Sequence, residues 1–305
     1  MAPFLLKRIL HGVVVLWVVA TLTFALLRLT PGGPFDRERK LPPEVVANLE
    51  AKYHLDESLL RQYLRYITGI MQGDLGPSYK YLDRNVNDVI RDTLPTSALL
   101  GTLAIVFALL VSLPVGLLAA YYRGSWIDRW LMIWASLGIS LPHFILGAVL
   151  IWAFALQFGW FHAGRWDTLS SAVLPTITLG AAPAAYLSAL LRSSLIEILG
   201  EDFIRTARAK GIRESGVLFK HALSLSLIPM LTVLGPLTAS LLAGSFVVEY
   251  VFAIPGMGRF FITAVTDRDY PLIMGVTLIY TALLVCANFI VDILYGVVDP
   301  RIRTE

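Results

Sequence analysis

Charge is what this sequence has least of. Asp, Glu, Lys and Arg make up 15% of its 305 residues, where soluble domains carry about 25%. Apolar residues reach 56% and the mean hydropathy is +0.69. That balance excludes an ordinary soluble domain and indicates an integral membrane protein. The net charge of +3 is small and no basic stripe accompanies it, which argues against a nucleic-acid partner. Cysteine is nearly absent: Cys286 stands alone in an apolar run, so no intramolecular disulfide can form and the residue reads as a small buried hydrophobe. A Gly-x4-Gly-Lys-Ser/Thr phosphate loop is also missing. The chain itself is therefore expected to bind no nucleotide, cofactor or metal and to catalyse nothing alone.

What is present is a series of long apolar runs. Crossing the hydrocarbon core takes about 20 residues of helix, and runs at 9–27, 96–120, 130–156, 173–191, 225–248 and 272–291 meet that length with no Asp, Glu, Lys or Arg inside them. The expected fold is all-α, with six transmembrane helices. The first run follows the basic pair Lys7 and Arg8 and is 19 residues long. That exceeds the roughly 7–15 residues of a signal-peptide core, so it reads as a retained anchor. The third run is long enough to be tilted, or broken at Pro142. Pro183 in the fourth and Gly235-Pro236 in the fifth predict kinks.

Lys and Arg gather on one side of these spans. They occur at both termini (Lys7, Arg8, Arg301, Arg303), in the loop after the second span (Arg123, Arg129) and in segment 192–222 (Arg192, Arg205, Arg208, Lys210, Arg213, Lys220). The bias predicts cytoplasmic termini and a cytoplasmic 192–222 loop. Segment 30–93 then lies outside. Pro42-Pro43 followed by Val45, Val46, Leu49 and Tyr53, and then Leu59 to Ile67, predicts a small helical cap there, with Gly73 to Pro77 as a turn. The cap serves either packing or the docking of a partner.

The apolar interiors lack the carboxylates that proton- or sodium-coupled transporters keep at membrane depth. Energy must then come from a cytoplasmic engine. His143, after Pro142, reads as the polar wall of a substrate path or as a histidine bonded to a neighbouring helix's backbone. Ser140, Ser188, Thr232 and Ser240 are the other candidates for a neutral, polar path. In the fifth span Gly235, Ala239 and Ala243 recur every four residues, as do Ser240 and Gly244, a small-residue pattern that lets helices approach closely. Glu249, at the end of that span, reads as a solvated flank or as a contact for an external protein or a substrate terminus.

The 192–222 loop carries the most specific signal. Asp202 is placed as an N-cap and Gly211 as the left-handed residue after the last turn. Between them a short helix of about nine residues projects from the membrane, a shape suited to a groove on another protein. A second helix starts at Glu214-Ser215.

Asp202-Phe203-Ile204-Arg205-Thr206-Ala207-Arg208-Ala209-Lys210-Gly211 resembles the conserved cytoplasmic loop of ATP-binding-cassette importer permeases, in its peptide-importer branch. The family's Glu-Ala-Ala triplet reads Arg205-Thr206-Ala207 here, and its later Ile-x-Leu-Pro reads His221-Ala222-Leu223-Ser224. The glutamate and the first proline are thus absent. The resemblance extends along nearly the whole chain: Arg28 to Phe35, Gly73 to Ser78, Ala253 to Gly258, Arg268-Asp269-Tyr270, Asp292 to Tyr295 and Asp299 to Arg303 all fit that branch, above all the B-type permeases of oligopeptide importers. The resemblance implies the type I importer permease fold in a bacterial inner membrane. It also implies a second similar permease, two ATPase subunits that hold ATP and Mg, and a soluble peptide-binding protein outside, with residues 202–211 docking on an ATPase. Permeases for dipeptides, glutathione or nickel chelates belong to the same branch. A non-transporting membrane scaffold and a stand-alone channel are the readings from other classes.

Overall fold

The structure is a computed structural model that describes residues 2–35, 42–81, 83–164, 166–242 and 245–298. Among these residues every regular element is helical, and extended pairing is limited to one isolated bridge between Pro77 and Asn85. The chain begins with α1 (Ala2–Leu29), the short helices α2 (Pro43–Lys52) and α3 (Leu59–Met71), and the long α4 (Val86–Tyr121). Then follow α5 (Trp126–Ser140), α6 (His143–Leu150), which continues as a π-helical turn over Ile151–Gln157, and α7 (Leu169–Leu199). The 192–222 region holds the C-terminal end of α7, α8 (Asp202–Ala209), α9 (Glu214–Gly216) and a π-helical turn over Val217–Ala222. The last elements are α10 (Leu223–Ser226), α11 (Ile228–Leu242), α12 (Phe246–Val251), α13 (Met257–Asp267) and α14 (Tyr270–Val298).

Among the described residues, five helical stretches are long and apolar enough to cross a membrane, and a bent pair makes up to six. The pair is α5 and α6 with its π turn, meeting at 108°. The run at 130–156 is therefore two helices rather than one tilted rod. The cause is local: proline drives the residue before it out of the helical region, and Leu141 is extended at φ −79°, ψ 121°. By contrast α7 stays one helix through Pro175 and Pro183, as membrane helices often do when neighbours satisfy the freed carbonyls. The run at 225–248 falls largely within one of the five stretches, Ile228–Val251. Helix α11 is described as far as Leu242, and Ser245 caps α12 by accepting the Val248 amide at 3.4 Å. Ala243 and Gly244 of the small-residue pattern lie outside the described residues, as do residues 299–303 of the C-terminal motif. Cys286 is exposed on α14 rather than buried.

Two compact units are distinguished, Met1–Ser97 with Pro255–Val285 and Ala98–Ile254 with Cys286–Glu305. In the first, Val86, Val89 and Ile90 of α4 pack with Met257 and Ala264 of α13 and with Leu272, Ile273 and Val276 of α14. Asp269 organises this unit. Its carboxylate caps α14 by accepting the Leu272 amide at 3.3 Å and also takes the Tyr79 amide at 3.1 Å. The Ser78 hydroxyl donates to the same carboxylate.

In the second unit one cluster joins Leu100 and Ala104 of α4, Leu174 and Leu179 of α7, Leu241 of α11, and Val248, Phe252 and Ile254. A methyl group added at Gly101 would come within 2.3 Å of the Leu241 carbonyl oxygen, so the α4 and α11 backbones touch. Small residues serve this purpose where lipid offers no hydrophobic drive to pack. The other cluster includes Leu187, Leu191 and Leu195 of α7 and continues into the 192–222 region.

Candidate functional site

Helix α8 is the element the sequence singles out, and its ends are fixed by backbone chemistry. Asp202 is its first helical residue rather than its cap; the cap position belongs to Glu201, whose backbone is extended at φ −70°, ψ 152° and whose side chain makes no capping bond. Asp202 still serves the N-terminus, because an anion in the first turn is favoured by the helix dipole. It accepts from Arg205 Nη1 at 3.1 Å. At the other end Gly211 sits at φ +76°. Its amide donates to the Arg208 carbonyl at 2.9 Å and the Ile212 amide to the Ala207 carbonyl at 3.3 Å. Those two bonds form a Schellman stop, which uses up carbonyls that a helix end otherwise leaves bare. The helix is eight residues long, about 12 Å.

Its two faces differ. Ile204 and Ala207, one turn apart, are buried against Leu191 and Leu195 of α7 and against Val217, Leu218 and Ala222 of the following π turn. Burying Ile204 from water is worth about 1.5–3 kcal/mol. Asp202, Phe203, Arg205, Thr206, Arg208, Ala209, Lys210 and Gly211 are exposed. Ala207 therefore belongs to the anchoring face and not to a free docking face. The outward face offers one large apolar side chain, Phe203, 44% exposed, among charges of both signs. Arg208 reaches forward to Glu214 with two bonds, Nη2 to Oε1 at 2.6 Å and Nε to Oε2 at 3.1 Å. The hydrogen bonds from the Arg208 guanidinium hold the Glu214 carboxyl below the usual carboxylate range, with burial opposing. This tether fixes the turn between α8 and α9.

The base of the loop is fixed as well. Arg192, in the last turns of α7, pairs with Asp128 in the first turn of α5, and Asp128 also accepts the Gly124 amide at 2.9 Å. Asp128 is buried. Its position three residues after Ser125, which caps α5, suggests an N-terminal turn; its partner, 64 residues on, has no local signature.

The candidate path residues divide. Ser140 is the last residue of α5 and exposed, and His143 opens α6 and is half-buried, so both flank the 108° bend. Thr232 and Ser240 are exposed on α11 with Pro236 between them. At spacings of four these three share one side of the helix over about 12 Å. Ser188 does not join them: it is buried in the chain's own packing, and its hydroxyl donates to the Ala184 carbonyl at 2.7 Å. A path lined by Ser188 is thus not what the second unit offers. Glu249 is fully buried rather than a solvated flank. No group of three or more His, Cys, Asp or Glu that could hold a metal occurs among the described residues.

Comparison with known proteins adds a family. The model described as "Binding-protein-dependent transport system inner membrane component" matches residues 112–304, and that of its N-terminal region matches residues 1–101. The oligopeptide transport system permease protein OppB of Haemophilus influenzae is 43% identical, over 99% of this chain and all of its own length. The dipeptide transport system permease protein DppB of Bacillus subtilis is 45% identical over 99% and 98%. The OppB of Escherichia coli K12 is 39% identical over 99% and 100%. Among solved structures, an inward-facing MetNI methionine ABC transporter superposes with a TM-score of 0.53 at 21% identity, over 69% of this chain and 96% of that one. That likeness supports the fold.

Proposed function

The chain belongs to the binding-protein-dependent transport system inner-membrane component family, and from that membership we infer that it is the membrane-spanning permease subunit of a peptide importer. It is a multi-pass protein of the bacterial inner membrane. Relatives named for oligopeptide and for dipeptide transport match it end to end at 39–45% identity. Of the two, oligopeptides are the cargo we propose. The neutral face formed by Thr232, Pro236 and Ser240 favours no single side-chain chemistry, so selection would rest mainly on the external binding protein.

In this reading α8 docks on a cytoplasmic ATPase, and α11 with the bend at Pro142 contributes to half of the path. A second permease supplies the other half, and two ATPases hold ATP and Mg. This chain binds no nucleotide and performs no catalysis. Both termini face the cytoplasm, following the Lys/Arg bias. The observation that carries the proposal is the division of α8 into a face anchored in the membrane-side core and a face left open. A short, stopped, exposed helix rooted in a span is what a groove on a motor subunit would grip.

The test is purification of the chain from its own membranes in mild detergent, with mass spectrometry of whatever accompanies it. Two nucleotide-binding ATPases and a second permease are expected. A chain that emerges without an ATPase at any salt or detergent would rule the proposal out. Exchanging the binding protein while keeping this chain should shift the range of peptides taken up; an unchanged range would place selection in the permease.

A further inference from the structure

Helix α3 turns an apolar stripe away from the protein. Leu60, Leu64 and Met71 are 66%, 54% and 84% exposed, and their spacing puts them on one side of the helix. The side that carries Tyr63 and Tyr66 is fastened to α1. The Tyr63 hydroxyl lies 2.8 Å from Thr21 Oγ1, and the Phe24 ring meets Tyr63 edge-on at 5.5 Å and stacks on Tyr66 at 6.0 Å. Thr21 is seven residues before Arg28, about 10 Å along the helix axis. Helix α3 therefore crosses α1 below the end of the span. At that level α1 also exposes Leu22 and Leu26, so the stripe on α3 lies at the depth of exposed apolar side chains of a membrane helix. An amphipathic helix with arginines on its flank, here Arg61 and Arg65, is the kind that lies in the headgroup boundary.

Behind α3 is a cavity of about 850 Å³ lined by Phe24, Arg28, Gln62, Tyr66 and Tyr79 among others. It holds polar groups, and two of their buried atoms have no partner. Arg28 is held over the rings of Phe24 and Tyr270, at 5.5 and 5.7 Å. It hydrogen-bonds the Tyr79 hydroxyl, and among the described residues no carboxylate forms an ion pair with it. Gln62 is 8% exposed, and its Nε2 donates to the carbonyls of Leu55 at 3.0 Å and Glu57 at 2.8 Å. That orientation makes Oε1 an acceptor, and it is buried with no donor; the buried Tyr66 hydroxyl also has no partner. Buried polar atoms left in this state are uncommon and call for an explanation. A fixed guanidinium calls for an anion, and Gln62 Oε1 calls for an N–H or O–H.

We propose that α3 lies in the membrane interface at the Arg28 end of α1, with Leu60, Leu64 and Met71 among the acyl chains, and that the cavity behind it receives one phospholipid headgroup. The phosphate sits on Arg28, and an ammonium or hydroxyl of the headgroup donates to Gln62 Oε1. Ethanolamine and glycerol headgroups meet that requirement. Choline, which has no N–H, does not.

Cys286→Ala leaves the full-length chain free for a single label. A fluorophore at Leu64→Cys, in phosphatidylethanolamine and phosphatidylglycerol vesicles with brominated acyl chains, is expected to be quenched about as strongly as one at Leu22→Cys. A label that behaves as if in water overturns the placement. Native mass spectrometry from the same vesicles is expected to retain one phospholipid. Retention should fall roughly tenfold for Arg28→Gln and for Gln62→Leu, the loss expected for a hydrogen bond to a charged or buried group. It should fall similarly when phosphatidylcholine is the sole lipid. Equal retention across variants and headgroups, or displacement of the lipid by free peptide, overturns the site. Should Arg28→Gln not fold, Gln62→Leu and the headgroup comparison on the unaltered chain decide the question.

Discussion

Arg192 holds Asp128 with two hydrogen bonds, Nε to Oδ1 at 2.6 Å and Nη2 to Oδ2 at 2.7 Å. The pair joins the start of α5 to the last turns of α7, just before the chain leaves for α8. Bidentate arginine–carboxylate geometry adds direction to charge, so the pair sets the angle at which α7 delivers the loop.

Removing one partner of a buried pair costs more than the pair is worth, because the other charge is left behind. Asp128→Ala is expected to destabilise the chain by about 2–4 kcal/mol, below the deepest cases because Arg192 keeps 28% of its side chain exposed. Arg192→Lys should lose less, keeping charge but not the fork. Thermal unfolding in detergent gives the comparison, and equal melting of Asp128→Ala and the unaltered chain would contradict it.

Gly211 supports a cleaner backbone test. Nothing lies within 4 Å of where a methyl group would be, so its requirement is conformational alone. Gly211→Ala should cost about 1–2 kcal/mol for the left-handed backbone, and Gly211→Asn should recover much of that loss. Gly211→Pro forbids the conformation and also deletes the donor to the Arg208 carbonyl. Peptide uptake should rank in the order Gly, Asn, Ala, Pro.

The two faces of α8 should fail differently. Ala207→Glu forces a charge into the cluster around Leu195 and Val217, so melting temperature and ATPase binding should fall together. Phe203→Ala removes an exposed ring, so it should lower ATPase binding and uptake while leaving melting unchanged. A Phe203→Ala chain that assembles and transports normally would remove this side chain from the docking face.

Asp269 combines an N-cap with a loop clamp. Its loss leaves the Tyr79 and Leu272 amides and the Ser78 hydroxyl without their acceptor. Asp269→Ala is expected to cost about 2–3 kcal/mol, a cap plus a buried unsatisfied group. It should also open residues 73–81 to protease earlier than the rest of the chain. Ser78→Ala should do the same more mildly.

The Arg208–Glu214 tether has a defined pH behaviour. A carboxyl whose folded pKa is lowered contributes stability above its unfolded pKa and loses it as pH falls through the folded value. The tether is therefore complete at neutral pH and fades only in acid. Both side chains are nearly half exposed, so the contribution is at the small end for ion pairs and screened by salt. The difference in melting between Glu214→Gln and the unaltered chain should shrink at high salt and vanish at low pH.

Much of this architecture is legible in the sequence, for reasons that differ by element. The apolar runs are legible because a backbone in lipid must satisfy itself by forming helices. The break at Pro142 and the stop at Gly211 are legible because each follows from a single residue's backbone. The cap of α8 reads one position late, at Asp202, since Glu201 and Asp202 are adjacent acids and only the backbone angles separate cap from first turn. Ser188 and Thr232 look alike in runs that are apolar all round, because no polar face marks which side meets neighbours. The Asp128–Arg192 pair and the contact of Gly101 with Leu241 join distant positions with no shared pattern. Glu249 sits at the end of a run, where burial and solvation read the same.

The Schellman stop at Gly211 and the burial of Ile204 and Ala207 also define how α8 can move. A load applied to Phe203 does not stretch a slack linker, because Ile204 and Ala207 are buried in one cluster with Leu191 and Leu195 of α7 and with Val217, Leu218 and Ala222. Packed methyl groups compress very little. On the proposed docking, displacement at the tip would arrive at the span nearly undiminished, and the loop would act as a stiff knuckle whose stroke is set by its partner.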